Sequence, residues 1–149
     1  MRRYATGVMV LTVRDGAGFH AATVNSVTSV SLEPALVLVC LEKNARSHQL
    51  VHETGAFALN ILSAAQVEAG KKFAFDRAAR NAPQQHVDAK ISAQATLHFP
   101  ASPGALDCRV VAEYPGGDHT IFLAEVMDAS IPENDFMPLI YFEGKFQEG

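Results

Sequence analysis

Three stretches of this sequence bring hydrogen-bonding groups, charge and unhindered backbone together in ways that suit binding chemistry. The first is Thr23-Val24-Asn25-Ser26-Val27-Thr28-Ser29-Val30-Ser31-Leu32. Hydroxyl and amide side chains alternate with apolar ones, so an extended strand here lines one face with short polar groups. Such a face, together with its backbone amides, can hydrogen-bond the edge of a planar heteroaromatic ring. The same alternation also serves a solvent-facing strand that uses threonine for its β-propensity. The second stretch, Cys40-Leu41-Glu42-Lys43-Asn44-Ala45-Arg46-Ser47-His48, reads as a strand end entering a helix. Helix N-terminal N–H groups favour anions, and Lys43, Arg46 and Ser47 add donors and charge, which suits a phosphate. The competing reading is a solvated helix start capped by Asn44. The third is Gly117-Asp118-His119, after Tyr114-Pro115-Gly116. Two glycines ahead of an Asp-His pair let the backbone approach a ligand closely, and His119 can then meet it; a plain surface turn fits the same residues.

Other candidates carry less. His48 and His52 are four residues apart on a predicted helix, a spacing that can serve one metal, but the glutamate of the zinc-protease helix is missing and no third ligand has a supporting context. No metal site is expected. Asp15-Gly16-Ala17-Gly18 is a hairpin turn and not a dinucleotide fingerprint, because no helix follows it. Neither a nucleophile elbow nor a phosphate-binding loop of the P-loop type is present.

The elements that must position these residues are mostly strands. Residues 7–14 form a β-branched run, the Asp-Gly turn follows, and residues 19–25 return as its hairpin partner. Residues 35–41, Ala-Leu-Val-Leu-Val-Cys-Leu behind Pro34, read as a buried strand. A helix is expected over 45–53, stopped by Gly55, then a strand over 56–62. Ser63 and Gln66 form a capping box for a helix running to about Phe73. Residues 76–90 are polar and alanine-rich and read as a long surface loop of the kind that often serves as a lid. Strand signals resume over 95–99, 106–114, 120–127 and 138–146. The expected architecture is mainly β: a closed or partly closed antiparallel barrel with short helical insertions.

The chain of 149 residues has one domain's worth of length, with 48% apolar and 19% charged residues, a soluble globular balance. A net charge of −4 gives no reason to expect nucleic acid or an anionic membrane as partner. No apolar run is long enough to span a bilayer, and the apolar stretch after Met1-Arg2-Arg3 is too short for a signal peptide. Cys40 and Cys108 sit inside apolar runs and are expected to be buried free thiols, in keeping with a cytoplasmic location.

Taken in order and spacing, these segments resemble the flavin reductase-like family with the FMN-binding split-barrel fold, the small NAD(P)H:flavin oxidoreductases of two-component monooxygenases. The resemblance rests on Thr6-Gly7-Val8, on Thr23-Val24-Asn25-Ser26 through Thr28-Ser29-Val30-Ser31-Leu32, and on Pro34 with the 36–41 run. It continues through Arg46-Ser47-His48, Phe57-Ala58-Leu59-Asn60-Ile61-Leu62-Ser63, Gly117-Asp118-His119 and Pro138-Leu139-Ile140-Tyr141-Phe142-Glu143-Gly144, covering nearly the whole chain as a single domain, 1–149. It implies an antiparallel Greek-key split barrel that binds FMN or FAD, uses NADH or NADPH as co-substrate, and works as a homodimer with each flavin site at the subunit interface.

By position, the resemblance sets Thr23, Val24, Asn25 and Ser26 beside the isoalloxazine ring, with Ser29, Val30 and Ser31 continuing that wall. Cys40 and Leu41 would lie near the ribityl chain, Arg46 and Ser47 at the phosphate, and Phe73, after Lys71-Lys72, would close the pocket. Gly117 and Asp118 would bring the backbone to the bound cofactors, and His119 would lie near the nicotinamide. Val27 stands where relatives usually have phenylalanine, loosening ring packing, and Ala45 where they commonly have serine, removing one phosphate donor. The implied reaction is hydride transfer from nicotinamide to flavin, with reduced flavin passed to a partner monooxygenase. A non-enzymatic flavin carrier with the same barrel is the alternative. No basic cluster points to a 2′-phosphate, which favours NADH.

Overall fold

The computed structural model describes residues 1–149. Its first strands are β1 (Thr6–Gly7) and β2 (Met9–Asp15), so the expected run over 7–14 is broken at Val8. A two-residue turn at Gly16-Ala17 leads into β3 (Gly18–Val24), with Asp15 opposite Gly18 and Met9 opposite Val24. Gly16 has φ +59°, a value that glycine adopts without a Cβ clash and that matches the twist of a hairpin. After Asn25-Ser26 come β4 (Val27–Leu32) and β5 (Ala35–Glu42), which pair with one bulge at Val30.

Helix α1 (Arg46–Thr54) follows, ended by Gly55 in the left-handed conformation; its N-cap is Ala45, with no side-chain cap, so Asn44 does not cap it. β6 (Ala56–Ile61) leads to the Ser63–Gln66 capping box, a 3₁₀ turn and α2 (Val67–Phe75). Residues 76–90 are not the open loop expected. They contain α3 (Arg77–Arg80), capped by the Asp76 side chain, and a 3₁₀ turn at Pro83–Gln85, and Ala79 and Pro83 are buried. Small residues let this segment lie flat on β3, an arrangement that its polar composition concealed.

The rest is β7 (Lys90–Ile91), β8 (Leu97–His98), β9 (Gly104–Gly116), β10 (His119–Ser130), β11 (Leu139–Phe142) and β12 (Lys145–Glu148). The main sheet has the order β3-β2-β6-β9-β10-β5-β4, antiparallel throughout, beside a three-stranded sheet β1-β11-β12 and the β7-β8 pair. The main sheet is open: β3 and β4 are its edges, joined by the chain at Asn25-Ser26 and not by a ladder, so its hydrogen bonding does not close a barrel. No helix is long and apolar enough to cross a membrane.

Two cores explain this shape. In the first, Leu11 and Val13 of β2 meet Val39 and Leu41 of β5, together with Phe57, Leu59, Phe122 and the α1 residues Leu50 and Val51. Three strands separate β2 from β5, so the sheet must roll around these side chains for them to share one cluster. The second core lies on the other side of β2 and β3, where Val8, Val10, Phe19 and Ala21 pack under Phe73 of α2 with Leu62, Phe99 and Leu139. β2 is therefore covered on both faces, which is why it reads as a continuous apolar run. Gly70 lets α2 come close: an added Cβ would lie 3.3 Å from both Leu62 and Leu139 side chains.

Candidate functional site

Asn25 and Ser26 belong to neither β3 nor β4, so their backbone is released from both ladders. The Ser26 hydroxyl donates to the Cys40 carbonyl at 2.7 Å, and the Cys40 N–H donates to the Ser26 carbonyl at 3.1 Å. One step earlier the Thr23 hydroxyl donates to the Gly70 carbonyl at 2.7 Å, tying β3 to α2. The link is thus held at both ends while the N–H groups of Asn25 and Ser26 donate to nothing within the chain. Both residues line a cavity of about 750 Å³, together with Thr28, Leu38, Cys40, His119, Tyr4 and Tyr141.

Further cavities that share wall residues lie beside it. Asn25 and Tyr141 also border a smaller space of about 190 Å³ with Thr23, Val24 and Phe75. Phe75 in turn borders a polar pocket of about 590 Å³ that gathers Arg46, Arg77, Arg80 and His20. Arg46 sits on the first turn of α1, its Nη2 2.7 Å from Asp15 Oδ1 at the β2–β3 turn. Arg77 and Arg80 lie three apart on α3 and therefore share a side of it. The three guanidinium groups outnumber the pocket's two carboxylates, Asp15 and Glu42, so the pocket favours an anion. Arg80 Nε is buried without an acceptor in the chain. His20 is buried too; its Nδ1 donates to Asn81 Oδ1 at 2.9 Å, leaving Nε2 without a partner. Burial pushes the His20 imidazole below its ordinary value, so it stays neutral beside the arginines.

His119 enters the large cavity from the β9–β10 hairpin. Gly116 pairs with His119 across a two-residue turn, and Gly117 takes φ +69°, which the tight turn requires. His119 Nδ1 lies 2.7 Å from Asp118 Oδ1. That hydrogen bond, reinforced by the charge of His119, holds the Asp118 carboxyl below its usual range. A carboxylate only accepts, so Nδ1 is the donor and Nε2 is the nitrogen left for a ligand. The Lys43 N–H donates to the Asp118 carbonyl at 3.0 Å and fastens the turn to the end of β5.

The expected site residues divide accordingly. Asn25, Ser26, Cys40 and His119 come together at the large cavity, Thr23 and Val24 border the smaller one, and Arg46 the polar one. The other eight line none of them. Leu41 is a core residue of the first cluster, and Ser47 is buried behind the first turn of α1. Ser29, Val30 and Ser31 lie around the bulge of the edge strand β4 and do not line the cavity. Gly117 and Asp118 form the hairpin tip and act through His119. Phe73 is fully buried, stacked on Phe99 with ring centroids 5.8 Å apart, and so lines none of these cavities; Phe75, two residues on and 80% exposed, borders the smaller and the polar one. Helical spacing decides between them, since the Leu62–Leu139 side of α2 takes residues 70 and 73 and leaves 75 outside. Sequence reasoning also missed Arg77, Arg80 and His20; the Arg-x-x-Arg spacing behind the capping Asp76 was the available signal.

Two further groups of polar residues have structural partners. His48 Nε2 lies 2.8 Å from the Thr120 hydroxyl, and His52 Nδ1 lies 2.9 Å from the Glu113 carboxylate, so the pair face different neighbours. In the interior, Asp107 Oδ1 is met by the Ser92 and Thr96 hydroxyls and by His98 Nε2 at 3.1 Å. Both cysteines are free thiols; Cys40 is half-buried at the cavity, while burial pushes the Cys108 thiol up to about 12.

Comparison with known proteins agrees with this geometry. The family described as "Flavin reductase like domain" matches residues 1–149. The NADH-dependent FMN reductase AsuE2 of Streptomyces nodosus subsp. asukaensis is 35% identical over 142 residues, 95% of this chain and 77% of that protein. The reductase component of the FADH(2)-dependent resorcinol hydroxylase of Rhizobium sp. (strain MTP-10005) is 33% identical, over 98% of this chain and 82% of that protein. A solved structure of the NADH:FAD oxidoreductase SgcE6 of Streptomyces globisporus C-1027, in complex with NAD and FAD fragments, superposes with a TM-score of 0.88 at 35% identity, covering 97% of this chain and 86% of that one. With the whole span matched and relatives alike over almost all of it, this chain belongs to the flavin reductase-like domain family.

Proposed function

We propose that this chain is an NAD(P)H:flavin oxidoreductase that supplies reduced FMN or FAD to a partner monooxygenase. The observation that carries the reading is the run of neighbouring cavities, each sharing wall residues with the next, from the free amides of Asn25 and Ser26 to the arginines of the polar pocket. A flavin nucleotide has this plan: a flat ring rich in acceptors, a polyol chain and a phosphate. The residues fit it. The two amides are donors without partners, and Arg80 Nε is a buried donor without an acceptor. Relatives named as NADH-dependent flavin reductases and as monooxygenase reductase components support the activity and the partner class.

Bound flavin supplies the chemistry by accepting a hydride from reduced nicotinamide. The chain supplies placement. The N–H groups of Asn25 and Ser26 would hold the flavin ring and favour its negatively charged reduced form. Ser26 and Thr23 act through their hydroxyls as braces, since both are already bonded to Cys40 and Gly70 carbonyls. Arg46 and Arg80 would hold the phosphate. His119, oriented by Asp118, would offer Nε2 to the nicotinamide and help to position it, which lowers the entropic part of the barrier.

The working unit is a homodimer of one-domain chains. Leu38 and Cys40 of β5 stand beside Leu123 and Ile121 of β10 on the face away from the core, and the large cavity opens there. A second chain on this face completes the cavity wall, brings Ser29–Ser31 near it, and covers the open sheet edge of a split barrel. Free thiols fit a cytoplasmic protein. Steady-state oxidation of NADH with added FMN or FAD tests the reading: saturable turnover that requires flavin is expected, and NADH oxidation no faster than with free flavin alone would refute it.

A further inference from the structure

The polar pocket is not the end of the run of cavities. Phe75 and Arg77 border it on one side and, on the other, a surface groove of about 590 Å³ along α2 that also holds Lys71 and Lys72. Resting on the flavin reading, we propose that this groove takes the adenosine monophosphate half of FAD, with the adenine stacked on Phe75 and its phosphate between Arg77 and Lys72, so that the chain selects FAD over FMN. Phe75 is 80% exposed at the end of a helix whose other aromatic, Phe73, is fully buried. An exposed phenyl ring flanked by cations is a platform for a base with a phosphate beside it.

The charges of the groove leave two cations unengaged. Lys71 lies 3.4 Å from Glu68, and the Asp76 carboxylate accepts the Ala79 N–H as the cap of α3. Lys72 meets only the His86 ring, at 3.5 Å, and Arg77 makes no ion pair within the chain. Because Phe75 and Arg77 are shared, a ligand with its first phosphate among Arg46 and Arg80 passes directly into the groove with its second. A nicotinamide dinucleotide also carries adenine, but its reacting ring belongs at His119, at the opposite end of the run. The groove therefore fits the flavin's own extension.

Equilibrium titration with FAD, FMN and riboflavin, on the full chain and on Phe75→Ala and Lys72→Glu, tests the proposal, with the KM for NADH as a second readout. Both side chains are exposed, so the variants fold. The wild-type chain is expected to bind FAD about tenfold more tightly than FMN, the weight of one base stacked on an aromatic ring. Either variant should erase most of that ratio and leave the KM for NADH within about twofold. Equal affinities in the wild type, or equal losses of FAD and FMN in Phe75→Ala, would overturn it, the latter by setting Phe75 against the flavin ring itself. A raised KM for NADH with the flavin ratio intact would assign the adenine to the nicotinamide nucleotide instead. Failure to bind any of the three flavins would refute the flavin reading, a different outcome from binding without preference.

Discussion

At the scale of the residue, the site depends on which polar groups are left over once the fold is satisfied. Thr23 and Ser26 are polar and well placed, but their hydroxyls hold other elements; the unpartnered donors are the backbone amides of Asn25 and Ser26. In the proposed function His119 positions the nicotinamide, so His119→Ala should lower kcat/KM for NADH by about tenfold to a hundredfold, as small misplacements of a reacting pair do. Flavin affinity, measured by fluorescence titration, should stay nearly unchanged. Equal losses in both would take His119 out of that role. His20 carries a pH prediction. Its folded-state value lies below the ordinary 6.5, so the unfolded chain binds more protons in the interval between the two, and stability falls as pH drops below 6.5. His48 acts in the same sense, again through burial. Thermal melts across that interval should show a declining Tm, and His20→Gln should flatten the decline.

The elements decide which side chain of a motif does the work. The types of Phe73 and Phe75 do not distinguish them, but α2 puts one into the second core and the other into solvent. Phe73→Ala should therefore cost about 3–5 kcal/mol, the price of emptying a large core site, in chemical denaturation. That is a large part of the roughly 5–15 kcal/mol that holds a domain together. Hairpins, the long strands, α1 with its Gly55 stop and the Ser63–Gln66 capping box were all legible in the sequence, because local signals determine them. Residues 76–90 were not, since their order comes from packing on β3 and from a cap three residues away, and polar composition is blind to both. The arginines of α3 went unseen for the same reason.

For the whole molecule, what had to be learned from structure is how far the sheet rolls. The alternating pattern of β4 predicted a polar wall, but Ser29–Ser31 lie around a bulge on an edge strand and line no cavity within one chain. The apolar patch of Leu38, Ile121 and Leu123 lies half-buried on the outer face, where a second copy would cover it. If the proposed dimer forms through this patch, Leu123→Arg should shift the apparent mass in sedimentation from that of a dimer to that of a single chain and weaken flavin binding with it. A monomeric wild type that binds flavin fully would remove the interface from the account.

The central claim is that a flavin held along this run of cavities is reduced by nicotinamide. The most direct test is anaerobic rapid mixing of the chain, loaded with FAD or FMN, against NADH while the flavin absorbance is followed. The account predicts bleaching whose rate saturates with NADH, far exceeds that of the same flavin free in buffer, and slows in the His119→Ala variant. Bleaching no faster than free flavin, with the flavin demonstrably bound, would contradict it.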